Sequence, residues 1–311
     1  MRPQIPHQPG GHSVDVVIPT FDNRLELEAC LRSLATASRD RSLRALVCVD
    51  GSTDGTQAWL KSTEFPFVVE VLEHSDRQNH GRAATRNLAL DRLEADVTVL
   101  LDSDMQPVAE AIDRHVDLVT RSAGVSVGDV VYLNAHDNIW ARYMGTRGKN
   151  KFRSGSRMPS LYLTAGNVAL PTRAFRGVGG FDETLSAYGA EDTELGLRLG
   201  AHGVPVYFNA AAGATTVERK SVEVAMAQLR ELGRENLPRI RRRHPNALAP
   251  FLINRLESPR LADRLFRALL NPVADLAAKS LLRIGPWPIQ RRLLNYLALR
   301  SVWRGYAEGV R

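Results

Sequence analysis

Three short apolar runs near the start of the chain are each followed at once by a polar turn that carries carboxylates. This recurrence limits the fold more than any other feature. Val14-Asp15-Val16-Val17-Ile18 runs into Pro19-Thr20-Phe21-Asp22, and Leu43 to Val49 into Asp50-Gly51-Ser52-Thr53-Asp54-Gly55. Val97 to Leu101 runs into Asp102-Ser103-Asp104. Apolar, β-branched runs of this length predict buried strands. Between them, Leu27, Cys30, Leu31 and Leu34 fall at helical spacing within Leu25 to Leu34, with further helices expected over Thr56 to Lys61 and Ala83 to Leu93 and a strand over Phe67 to Leu72. Alternating strands and helices predict an α/β fold with a mostly parallel sheet flanked by helices on both faces. Ligands of such sheets bind outside the carboxyl ends of the strands, where these carboxylates cluster.

Further along, Leu133 to Pro159 is rich in Arg, Lys, Gly and Ser and reads as a loop or lid. Order returns at Leu161 to Asn167, a helix is expected from near Glu191, and a strand around Val204 to Phe208. From Ser221 the pattern is helical, with breaks expected at Pro238, Pro245, Pro259, Pro272, Pro286 and Pro288. The net charge of +7 is concentrated in this last part. Residues 1–219 carry 23 Lys/Arg against 27 Asp/Glu, residues 220–250 carry 7 against 3, and residues 251–311 carry 11 against 4.

The two cysteines, Cys30 and Cys48, lie in apolar segments without ligand spacing and read as buried thiols. With no disulfide framework the expected setting is cytoplasmic. Residues 1–12 read as a disordered leader without the apolar stretch of a signal peptide. No transmembrane span is expected, since the longest uncharged stretch, Leu199 to Val217, holds three glycines and Pro205. The last helix carries apolar stripes on two sides, with Arg300 and Arg304 between them. That pattern suits internal packing, a homodimer contact, peripheral contact with the inner face of a membrane, or recognition of the acceptor. Nucleic-acid binding is not expected, because the basic residues join no recognition motif.

Asp102 and Asp104, two residues apart at a strand end, project to the same side and could hold a hard divalent cation such as Mn²⁺ or Mg²⁺; a solvated strand end is the alternative. Asp50 could accept a hydrogen bond from a ribose or base edge, while Asp54 could cap the next helix. Asn79 to Asn87 puts Arg82, Arg86 or both near an anionic ligand, or else forms a basic helix face. Glu191-Asp192 could be a helix cap, but two adjacent acids plus Glu194 exceed what capping needs. Gly166-Asn167 and Gly179-Gly180 are either close approaches to a bound sugar or ordinary turns. Asp182 is expected to fix its turn.

The blocks VDVVIPTFDN, VCVDGSTDGT, NHGRAATRN, LLDSDMQP and TAGNVALP…GVGGFDETLSAYGAEDTELGLRLGAHG follow the order of family 2 glycosyltransferases. Residues 13–220 resemble that family, which has the GT-A fold, and their acceptor-side GGFDE…ED segment is galactosyltransferase-like. The resemblance implies a GT-A domain over 13–220, with a nucleotide-binding half at 13–106 and an acceptor half at 107–220, followed by a basic helical region at 221–311. It implies an inverting hexosyltransferase that uses a nucleotide-diphosphate sugar, UDP-linked by default. The donor would be held by Pro19, Thr20, Asp22, Asp50, Arg86, Asp102, Ser103, Gly166 and Asn167. The metal would sit on Asp104 and Asp102, Asp104 being the more direct ligand. Asp192 would be the general base and Glu191 would orient acceptor or donor sugar.

Two departures bear on this. Val49 stands where many relatives have a second acid. No histidine follows the strand near Phe208, where Gly213 to Glu218 leaves Glu218 or water to complete the metal shell. The acceptor could be a lipid-linked glycan, a polysaccharide, a peptide or a small metabolite. Nucleotidyl transfer is a competing reading, although Pro19 to Asn23 is no glycine- and lysine-rich phosphate loop. An inactive sugar-nucleotide-binding protein is the other.

Overall fold

The strands form where apolar runs can be buried on both faces at once. The computed structural model describes residues 14–38, 41–245 and 252–310, and the expected leader at 1–12 lies outside them. β1 (Val14–Thr20) and β2 (Leu43–Val49) are buried along their whole length, flanking α1 (Arg24–Ala37). α2 (Thr56–Ser62), β3 (Val68–Glu73), α3 (Arg82–Asn87) and β4 (Val97–Leu101) follow. These four strands pair in parallel, in the order β3-β2-β1-β4. Directly opposite each other on β1 and β2, Asp15 and Arg44 form a buried two-pronged ion pair at 2.8 and 3.0 Å. Asp15 also accepts from the amides of Glu94 and Ala95, so its charge is fully hydrogen-bonded despite burial.

The second half adds β5 (Gln106–Pro107), α4 (Ala111–Ser122), β6 (Val125–Tyr132), α5 (Ile139–Met144), β7 (Arg157–Met158), β8 (Asn167–Pro171), α6 (Thr172–Gly177), α7 (Glu191–Ala201) and β9 (Val206–Thr216). β8 runs antiparallel between β4 and β6, and the main path continues β4-β8-β6-β9-β5, with β7 against β9. Parallel pairing therefore dominates the first half and the second is mixed. One apolar layer packs α1 and α4 against the sheet, and a second lies under α3, α6 and α7. Both cysteines are fully buried and free, and burial pushes both thiols up.

Three expectations need correction. The stretch 133–159 is not simply a loop, since it holds α5, whose Trp140 and Tyr143 are buried, and β7. β9 runs eight residues past Phe208, because its pairing with β6 steps over Ala210-Ala211-Ala212-Gly213 at a register shift and resumes at Ala214, where β5 pairs with it as well. Pro238 lies inside α8 (Val222–Arg243) rather than ending it. A proline frees the carbonyl four residues back. Here that is Arg234, whose carbonyl lies where a side chain at Gly309 would collide with it.

The remaining helices are α9 (Ile253–Glu257), α10 (Leu261–Ala268), α11 (Pro272–Ile284) and α12 (Trp287–Gly309). α12 runs beside α8 in the same direction, with Gly305 against Arg230 and Gly309 against Arg234. Leu232, Leu237, Val302, Trp303 and Tyr306 form the apolar seam between them. At the other face of α8, buried Asn236 donates to the carbonyls of Ala187 (2.9 Å) and Gly189 (2.7 Å), holding the segment that leads into α7.

Candidate active site

The three strand-end turns are stitched to one another. Thr20 donates to the Asn23 amide oxygen, and Asn23 donates to Ser103 at 2.6 Å, joining the ends of β1 and β4. Asp22, held at φ 45°, accepts from the Thr53 amide at 2.6 Å while its own amide donates to Ser52. Asp54 is not the cap expected of it: Gly55 holds the cap position, and Asp54, one residue earlier, accepts from the amide and hydroxyl of Thr56. Buried Asp50 takes one backbone amide on each oxygen, His80 at 2.8 Å and Gly81 at 3.1 Å. Each carboxylate oxygen still has a second lone pair for a ligand. The 77–79 backbone crosses so near Gly51 (φ 72°) that a Cβ there would lie 2.8 Å from the Gln78 carbonyl carbon.

A cleft of about 760 Å³ opens over these turns. Pro19, Thr20, Asp50, Asp102, Ser103 and Asp104 line one side, Tyr188 and Glu191 another, and Gln228 and Glu231 of α8 a third. Asp22, Arg86, Gly166, Asn167 and Asp192 are not on its lining. Asp22 supports the loop beneath, and Gly166 makes room for Asp102, since a Cβ at 166 would come 3.0 Å from its carboxylate. The Asn167 side chain is committed inside the sheet, donating to Asp129 and Ala212 carbonyls and meeting His115. It therefore has no side-chain group left to offer a donor sugar. Gly179-Gly180 likewise forms a turn bound by Asn87, and Asp182 accepts from Thr184 and pairs with Arg243.

Behind the lining lies the electrostatic centre. Fully buried Arg86 donates to Asp102 at 2.7 Å and stands 3.6 Å from Glu191 and 3.9 Å from Asp192. One guanidinium thus serves three carboxylates drawn from β4's end and from the start of α7. Its Nε and Nη1, Glu191 Oε2 and Asp192 Oδ1 have no hydrogen-bond partner although buried. Burial disfavours the Arg86 cation, but Asp102, Asp192 and Glu191 outweigh this and hold it above its usual range. Burial also opposes ionisation of Asp102, yet Arg86 and Arg82 keep that carboxyl below the usual range. Asp104, whose side chain is open to the cleft, is pushed up to about 6 by the protein crowded around it and by the charge of Asp102. Asp192, which accepts from the Ala165 amide at 3.0 Å, is pushed up to about 7 by burial and by Glu191.

The excess of negative charge suits a cation. Among the described residues no set of three or more His, Cys, Asp or Glu forms a metal site. Glu218 is turned back onto the Lys220 amide, so its expected role as third ligand finds no support. Two carboxylates nevertheless fit a Mg²⁺-like ion, which takes one or two of them together with substrate phosphates and water. Sequence reasoning missed Lys220 and Tyr188 as a pair. The Lys220 ammonium lies 3.3 Å from the Tyr188 hydroxyl and 4.8 Å from its ring centre, with Arg82 over the same ring at 5.5 Å. No local pattern signals this, because the three residues come from separate segments.

Comparison with known proteins matches residues 15–176 to the model of glycosyl transferase family 2 and residues 149–220 to that of the N-terminal domain of galactosyltransferase. The chain is 27% identical over 275 residues to validoxylamine A glucosyltransferase of Streptomyces hygroscopicus subsp. jinggangensis, covering 76% of this chain and 62% of that protein. It is 28% identical over 264 residues to pre-mycofactocin glycosyltransferase of Mycobacterium tuberculosis, covering 81% and 53%. It thus spans a little over half the length of these curated relatives. Among solved structures, the mannosyltransferase PcManGT of Pyrobaculum calidifontis, in complex with GDP-Man and Mn²⁺, superposes with a TM-score of 0.62 at 16% identity over 95% of this chain and 88% of that one. S. aureus TarS 1–349 with UDP-GlcNAc gives 0.55 at 16% identity over 96% and 90%. These similarities identify the architecture as the GT-A fold.

Proposed function

The chain belongs to glycosyl transferase family 2, and on that premise we propose that it is an inverting glycosyltransferase that moves a sugar from a nucleoside-diphosphate sugar to an acceptor hydroxyl. The observation that carries this reading is the sharing of Arg86 by Asp102, Glu191 and Asp192. It joins the donor-side turn and the start of α7 into one charged site under one cleft.

Asp50, Thr20 and Ser103 bind the nucleoside end, and Arg82 and Lys220 face the negative charge of the donor. Asp104 and Asp102 would hold Mn²⁺ or Mg²⁺, which when bound would offset charge on the departing diphosphate. Arg86 keeps Asp102 ionised for that purpose. Asp192 accepts the proton of the acceptor hydroxyl as its oxygen bonds to the anomeric carbon. The bond from that carbon to the diphosphate oxygen breaks, and the nucleoside diphosphate leaves. A single displacement inverts the anomeric centre and needs one base. Glu191, on the cleft lining, orients the sugar. Because Glu191 rather than Asp192 meets the cleft, an exchange of these two roles is the second reading.

Calorimetric titration with UDP, GDP and dTDP, each with and without Mn²⁺, tests the donor site. The expected result is metal-dependent binding of one nucleotide, weakened at least about tenfold in Asp104→Asn. Absence of binding by the folded protein to all three would overturn the proposal in favour of an inactive relative. Equal binding with and without metal would remove the cation from it.

A further inference from the structure

Half of the large aliphatic and aromatic side chains exposed on the described surface fall within one short stretch, residues 261–289. Leu261, Leu265 and Leu269 recur every four residues along α10 and its end, at 61–68% exposure. On α11, Val273, Leu276 and Ile284 lie on one stripe by helical spacing, at 68–83% exposure. The opposite faces are satisfied within the protein, since Phe266 and Leu270 pack into the seam beside Trp303, and Ala278 is buried. Eight unpartnered aliphatics so close together exceed the scattered apolar surface of an ordinary soluble protein.

Charge decides what covers them. Residues 259–292 hold seven Lys/Arg and two Asp/Glu. Both acids are engaged internally, Asp263 by Arg255 at 2.6 Å and Asp275 by Tyr296 at 2.9 Å and Arg300 at 3.5 Å. Arg260, Arg264, Lys279, Arg283, Arg291 and Arg292 are exposed. Lys279 and Arg283 fall along one edge of the α11 stripe. A second copy of this chain meeting the same face would bring like charges together. An anionic lipid surface satisfies both features, since aliphatics enter the acyl boundary while cations meet the headgroups. No described helix is long and apolar enough to cross a membrane, so the stretch lies on the surface rather than spanning it.

We propose that residues 261–289 form a docking surface for an anionic membrane. The test is flotation of the full chain with vesicles of phosphatidylcholine alone and of phosphatidylcholine mixed with phosphatidylglycerol. The expected result is binding to the mixed vesicles only, weakened by high salt. Lys279→Glu/Arg283→Glu should reduce it by roughly tenfold or more, given the contribution of each cation at a lipid surface. Leu265→Ser/Leu276→Ser should reduce it comparably, and because these side chains are exposed, both variants should keep the wild-type melting temperature. Lack of flotation with either vesicle overturns the proposal, as does flotation unchanged in both variants. Sedimentation equilibrium distinguishes the competing occupant. A wild-type dimer that becomes monomeric in the leucine variant, with no vesicle binding, assigns the face to a second copy.

Discussion

Arg86 ties together the carboxylates at the centre of the site, because Asp102, Glu191 and Asp192 share one cation whose hydrogen bond goes to Asp102. Asp192 is the carboxylate left most in excess, and its ionisation should be visible in catalysis. A base must be deprotonated to act, and the folded protein favours the protonated form up to about pH 7. Transfer activity, as kcat/KM, is therefore expected to rise with pH through a midpoint near 7. Asp192→Asn should lose about 10²–10⁴-fold in kcat and keep donor affinity. An Asp192→Asn enzyme with wild-type turnover, alongside an inactive Glu191→Gln, would transfer the base role to Glu191. At this scale the place of Asp50, Asp102 and Asp104 on the cleft lining was legible, because the end of a buried strand puts polar residues at the rim of the sheet. Arg86 as the hub, and Asn167 as an internal strut, were not. Charge balance and hydrogen-bond satisfaction depend on residues brought together from distant parts of the chain.

Elements buried on two faces announce themselves, and β1, β2 and β4 were placed to within two residues by their apolar runs alone. Elements defined by a neighbour do not. β9 continues past a register shift at its three alanines because β6 and β5 pair with it again from Ala214, and α8 absorbs Pro238 because packing outweighs one missing hydrogen bond. The α8–α12 pair is the clearest case. Small residues at 233, 305 and 309 have no local helical rationale, glycine being a poor helix former, but each lets two backbones come together. Gly305→Leu should therefore destabilise the protein by about 1–3 kcal/mol or more, the range for overpacking a tight contact, and lower the midpoint of thermal unfolding. A melting temperature equal to wild type would show that the two helices can part without cost.

Across the whole molecule, acidic and basic territory are separated along the chain, with the strand-end side of the cleft in the mildly acidic part and the net positive charge after residue 220. The bulk charge count made this legible, but not that the basic region closes over the fold. α12 contributes Val302, Trp303 and Tyr306 to the seam with α8, and Leu294 to the cluster with Trp140 and Tyr143. Deleting residues 287–311 should expose these surfaces and give a chain that aggregates or melts without a cooperative transition, as followed by circular dichroism. A shortened chain with wild-type melting would make the last helix an appendage.

Asn236 joins these parts through two short hydrogen bonds to the segment that presents Tyr188 and Glu191. Anyone grafting residues 107–220 of this protein onto a related scaffold would find that they are not a free-standing cassette. The transplant would have to include α8, and α8 would bring α12 with it.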